Sequence, residues 1–169
     1  AAAIAIALSP IPAPREPLHA RIDQLIATGH PGYEKLAAPL ATVPQGELLL
    51  RGDSVAFPPG GCAFLHKHWG PGIRCLLDGG IRIDTHGRST SYGPGTPWYE
   101  TGTDPVFAQA AMDRPSRFIR VMILPRSLIG KSSFQFVNEE DKAKPRVQQY
   151  KILADIPIGP LVLTPSFGV

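Results

Sequence analysis

The residues best placed to do chemistry gather in one stretch, Gly60-Gly-Cys-Ala-Phe-Leu-His66-Lys-His68. Side chains alternate across an extended strand, so His66 and His68 share a face. Phe64 and Cys62 fall in phase with them, while Leu65 and Lys67 take the other side. Two imidazoles at this spacing can reach a single metal ion, because neutral imidazole is the commonest metal-ligating side chain. The same pattern would arise on a surface strand that held two of the chain's five histidines. The glycines around the pair separate these readings.

The elements that must position this stretch follow from composition. A length of 169 residues is that of one domain with a core of useful size. Hydrophobic residues make up 43% of the chain and charged residues 18%, the balance of a globular rather than a disordered protein. Nineteen prolines and seventeen glycines favour many short strands joined by turns over long helices. The net charge of +3 is mild and the basic residues are scattered with no run of five or more, so nucleic-acid binding is not implied. Serine-elbow, phosphate-loop and dinucleotide signatures are absent, and Ser132 and Ser133 have no recognisable base partner. Cys62 and Cys75 do not make a disulfide framework and read as thiols packed like small apolar residues, on opposite faces of their strands.

Taken in order, residues 1–16 are apolar and then Pro-rich, with the look of a signal remnant in residues 1–8. That segment is too short to span a membrane. It leaves two addresses open, exported or periplasmic if it is a remnant and cytoplasmic otherwise. Residues 17–45 read as a helical extension: Leu18, Ile22, Leu25 and Ile26 form one helical stripe ended by Gly29, and a second helix covers Tyr33 to Ala41. His19 and His30 lie there without visible chemistry. From residue 46 to 155 the pattern becomes short strands, beginning with Glu47–Leu50 and Ser54–Phe57 on either side of Arg51-Gly52-Asp53, read as a turn. Further strands follow at 73–77, 81–85, 97–100, 106–110, 117–124, 133–137 and 147–152, with His86 in an exposed turn. Such spacing argues for an antiparallel sandwich or barrel. Residues 138–144 read as a solvated charged loop, and 156–169 as a Pro-rich tail across a barrel face or a partner subunit.

At this point a family resemblance becomes specific. Gly60, five residues, His66-x-His68, three residues, Gly72, six residues, Gly79 resembles the first motif of the cupin superfamily. Gly87, five residues, Gly93-x-Gly95 and two residues to Trp98 resembles the second. The run Tyr92-Gly-Pro-Gly-Thr-Pro-Trp-Tyr-Glu100 is similar to the Pro-Gly-x-x-Trp-x-Glu run of small single-domain cupins. The likeness covers roughly residues 47–125. It implies an all-β fold, the double-stranded β-helix or jelly-roll barrel. It also implies a divalent metal (Fe, Zn, Mn or Ni) on His66 and His68.

Two family ligands are missing, since Gly72 stands at the usual glutamate and Trp98 at the usual histidine. Glu100 shares the face of Trp98 and would complete a set of two histidines and one carboxylate, or else bond to backbone at a strand end. Arg74, counted from Gly72, faces the interior. There it would clamp a substrate carboxylate, or pair with Glu100 and leave the metal only two protein ligands. Phe64, Arg74 and Trp98 would line the substrate pocket. The resemblance implies a protein that binds a divalent metal and a small anionic organic ligand in the barrel. Whether it is also a metal-dependent enzyme (oxygenase, isomerase or decarboxylase) acting on a small organic acid or phenolic, with Glu100 and Arg74 in the catalytic roles, stays open. The gaps at Gly72 and Trp98 favour a non-catalytic protein. The alternatives are a non-catalytic small-molecule-binding or sensor protein with a degenerate metal site, and a structural dimer module. The expected partners are a small-molecule ligand and a second copy in a homodimer, with no nucleic acid and no membrane.

Overall fold

Charged residues set in an apolar phase shape the first long strand, β3 (Leu48–Phe57). Leu49, Arg51, Asp53, Val55 and Phe57 alternate inward and are all buried. Arg-Gly-Asp, expected as a turn, is therefore strand interior, with Gly52 on the opposite face. Arg51 and Asp53 are held there by partners on the neighbouring strands rather than by solvent. The structure is a computed structural model that describes residues 8–9, 36, 38–40 and 42–161.

The remaining strands are β4 (Cys62–His68), β5 (Gly72–Asp78), β6 (Ile81–Thr85), β7 (Arg88–Tyr92), β8 (Pro97–Glu100), β9 (Val106–Ala110), β10 (Ser116–Pro125), β11 (Phe134–Phe136) and β12 (Gln149–Ile158). They form two five-stranded sheets, ordered β12-β3-β10-β5-β8 and β11-β4-β9-β6-β7. Within the eight strands from β3 to β10, pairing is nested: β3 with β10, β4 with β9, β5 with β8, and β6 with β7, all antiparallel. This is one long hairpin rolled into a barrel, the jelly-roll arrangement. β7 was not among the strands expected from the sequence. A two-residue turn of His86 (φ 50°) and Gly87 (φ 69°) makes it, since two successive positive φ values are what a tight hairpin turn needs.

The space between the sheets is filled from one end by Val55, Phe57, Leu76, Ile81, Ile83, Trp98 and Phe118. The outer face of the first sheet carries a second cluster, in which Ala38, Leu40 and Val43 pack on Leu48, Ile73 and Ile123. Ala38–Pro39 is a short strand, β2, paired in parallel with Leu8–Ser9, β1, so the helix expected over Tyr33–Ala41 does not hold at those two residues. The stripe from Leu18 to Gly29, with His19 and His30, lies outside the described residues. The expected tail starts later than residue 156, because Ile156–Ile158 still pair with β3. Among the described residues no helix is long and apolar enough to cross a membrane.

Candidate functional site

His66 and His68 reach the barrel interior because β4 slips by one residue. Ala63 pairs with Ala108 and His66 with Val106, so three steps on β4 span two on β9. A bulge of this kind reverses the inward phase midway along a strand. Ala63 points in before it, and His66 and His68 point in after it. Phe64 and Cys62 were expected on the histidine face, but neither lines the cavity. The Phe64 ring instead lies beneath Lys144, whose Nζ is 4.6 Å from its centre. The bulged residue still serves the site, since the Phe64 carbonyl accepts a 2.7 Å hydrogen bond from His66 Nδ1. That bond fixes the tautomer and leaves His66 Nε2 as an acceptor. Cys62 and Cys75 form no disulfide.

His68 is held from both ends. Its Nε2 lies 3.4 Å from Arg120 Nη1, and because a guanidinium only donates, Nε2 must accept. Its Nδ1 then carries the proton and donates to Ser133 Oγ at 3.2 Å. The two rings meet edge to face with centres 4.9 Å apart. Burial is the main reason both stay neutral. It lowers His66 to about 4 against the partial opposition of Glu100. It holds His68 well below the ordinary imidazole value, with Arg120 pushing the same way.

The carboxylate expected to close a metal cage is occupied elsewhere. Glu100 Oε2 lies 2.7 Å from Arg74 Nη2, and Oε1 accepts the Trp98 indole N–H at 2.8 Å. The approach of Oε2 to His68 Nε2 is 3.9 Å. Glu100 stands in register beside Gly72, the position of the missing family glutamate. A Cβ at Gly72 would come within 2.5 Å of the Val121 carbonyl and 2.6 Å of Met122, so no side chain fits there. The Arg74 guanidinium folds over this gap and donates to the Gly72 carbonyl at 2.6 Å. Of the two roles expected for Arg74, the geometry has the pairing with Glu100.

Sequence reasoning passed over a second ion pair. Arg120 Nε donates to Asp53 Oδ1 at 2.6 Å, with Asp53 fully buried. Among the described residues the other oxygen, Oδ2, has no partner within ordinary hydrogen-bond geometry. The guanidinium of Arg120 also lies over the Tyr150 ring at 5.4 Å. Tyr150 accepts from Arg51, which clamps Asp155 through two 2.7 Å bonds and reaches the Leu128 and Lys131 carbonyls. The signal was there to read: Arg120 breaks the inward row Phe118, Met122, Leu124, as Arg51 and Asp53 break Leu49, Val55, Phe57. A charge in an apolar phase needs a buried partner.

These groups surround a cavity of about 220 Å³. Val55, Phe57, Trp98, Val106 and Phe118 form its apolar part, and the polar part comes from the histidines, Arg74, Glu100 and Arg120, with Arg146 and Gln148. Among the described residues no group of three or more His, Cys, Asp or Glu side chains is disposed to hold a metal ion. The donor set does not fit one. Both Glu100 oxygens are taken, the His68 lone pair faces an arginine, and a cation there would meet two guanidiniums.

Both motif segments frame this cavity: the first runs through β4 and β5, and the second leads from the His86–Gly87 turn into β8, which pairs with β5. The nested strand order around them decides the fold. The chain has the cupin fold. Solved structures similar to it include a cupin-like protein from Thermotoga maritima, at 21% identity and a TM-score of 0.43, over 56% of this chain and 73% of that one. A cupin protein from Bacteroides fragilis is 23% identical with a TM-score of 0.40, over 54% and 84%. The DMSP lyase DddQ from Ruegeria pomeroyi is 24% identical with a TM-score of 0.40, but the match covers 43% of this chain and only 37% of the lyase. No family model and no curated protein matches the sequence.

Proposed function

We propose that this cupin binds a small organic anion inside its barrel, with no divalent metal at the histidine pair. The observation that carries the reading is the engagement of Glu100, whose oxygens serve Arg74 and Trp98 instead of pointing at a shared centre with His66 and His68. Converting it to a ligand would strip a buried guanidinium of its counter-charge, a change that costs about 3–5 kcal/mol. What remains open to a ligand is an arginine-rich polar end and an apolar body. At about 220 Å³ the cavity is below the roughly 300–1,000 Å³ of drug-sized sites, which suits one small ring or a short branched chain. Trp98 and Phe118, centres 5.3 Å apart and edge to face, offer that body an aromatic wall.

In this reading the protein is a binding or sensing module, and Arg74 positions Glu100 and Trp98 rather than touching the ligand. Melting curves with benzoate and other small carboxylates, run in excess chelator, test it. A rise in melting temperature that survives chelation is expected, and failure of every small carboxylate to raise it would overturn the reading. The competing reading is a metal-dependent enzyme on His66, His68 and Glu100, favoured by the 3.9 Å approach of Glu100 to His68. It requires Glu100 to leave both present partners, and a carboxylate effect seen only with added metal would support it.

A further inference from the structure

We propose that Arg146, at the mouth of the cavity, is the group that reads the ligand's negative charge, and that the ligand is a monoanion with an apolar body. The assignment rests on the anion-binding reading above and names its charge-recognising residue, a role the sequence had given to Arg74. Three arginines line the cavity: Arg74, Arg120 and Arg146. Arg74 is ion-paired with Glu100 and Arg120 with Asp53. Among the described residues Arg146 is in no ion pair. Three positive charges thus face two negative ones, and a single anionic group restores balance. A dianion would exceed it.

Placement agrees with the charge count. Arg146, Gln148 and Tyr150 all line the cavity at alternate positions, which is how a segment entering β12 presents one face inward. Arg146 is exposed, so its guanidinium sits at the solvent side of the opening. It is not loose there, because it lies 4.7 Å from the Phe136 ring centre and 5.3 Å from that of Phe134. Phe134 in turn stacks on His66 at 4.2 Å, nearly parallel. A guanidinium laid on aromatic faces keeps its edge donors for a carboxylate and loses little freedom on binding. The chemistry recognised is a monocarboxylate headgroup at Arg146 with a ring or branched chain directed toward Trp98 and Phe118.

Calorimetry with benzoate and 3-methylbutanoate, each beside its neutral amide, tests the proposal on the intact chain. Arg146→Gln should weaken both carboxylates about tenfold or more, the size of a lost charged hydrogen bond, and leave the amides unchanged. Arg146→Lys should recover part of the loss. Equal carboxylate affinity in Arg146→Gln and the parent protein would overturn this assignment alone. An equal loss for acids and amides would also overturn it, by showing a packing role. Failure of the parent protein to bind either carboxylate would remove the anion-binding reading itself, and the assignment with it.

Discussion

Glu100 and the two histidines occupy one small volume, yet their bonds run in different directions. The carboxylate faces Arg74 and Trp98, and His68 faces Arg120 and Ser133. Glu100→Gln is therefore a stability mutation first. It leaves Arg74 buried without its anion, and urea unfolding should show a loss of about 3–5 kcal/mol. A loss below about 1 kcal/mol, the scale of an exposed pair, would show that the ion pair is not what holds this end of the barrel. The imidazoles make a pH prediction of definite sign. The unfolded chain protonates histidine near pH 6.5, whereas folded His66 resists until about 4. Between those values the unfolded state binds more protons, so stability falls as pH drops through that window. His66 contributes on the order of 3 kcal/mol, and His68 acts in the same direction. Unfolding curves at several pH values check this, and a flat response between pH 6.5 and 4 would contradict it.

At the scale of elements, the bulge in β4 and the missing side chain in β5 decide which groups meet. Strict alternation puts Phe64 beside the histidines, and nothing in the local sequence announces the extra residue that moves it out. Arg120 and Asp53 were legible as charges in apolar rows, but which strand would partner them depends on β3 lying beside β10, a pairing set by residues 67 apart. Restoring the family glutamate with Gly72→Glu should not create a metal site. The new side chain would meet the Val121 carbonyl and Met122, so the expected result is poor folding or a loss of several kcal/mol. A stable Gly72→Glu protein that takes up one metal ion per chain would refute the packing argument. Arg51 makes a prediction for β12. It ties Asp155 and the Leu128–Lys131 turn to β3, and Arg51→Met should raise hydrogen exchange in β12 while leaving β5 and β8 protected. Unchanged exchange along β12 would mean that backbone pairing alone holds the strand.

Across the whole molecule, turn residues were the most legible feature. Strands at short intervals were enough to expect an antiparallel sandwich or barrel, and the resemblance of the glycine and histidine spacings to the cupin motifs implied a jelly roll. Gly79, at φ 82° and with the Pro115 carbonyl where a Cβ would stand, is a position that a side chain would strain. The site was legible only in part: His66, His68, Arg74, Trp98 and Glu100 all line the cavity, but their bonding to one another belongs to the folded packing. Arg146 drew no reading from the sequence, lying between the charged run 138–144 and the strand expected at 147–152, and its place over Phe134 and Phe136 follows from the folded chain. In the proposed reading the carboxylate and the imidazoles share no metal. Calorimetric titration of chelator-treated protein with Zn²⁺, Mn²⁺, Fe²⁺ and Ni²⁺ should then show no saturable uptake that depends on His66, and one-to-one binding abolished by His66→Ala would mean that they do share one.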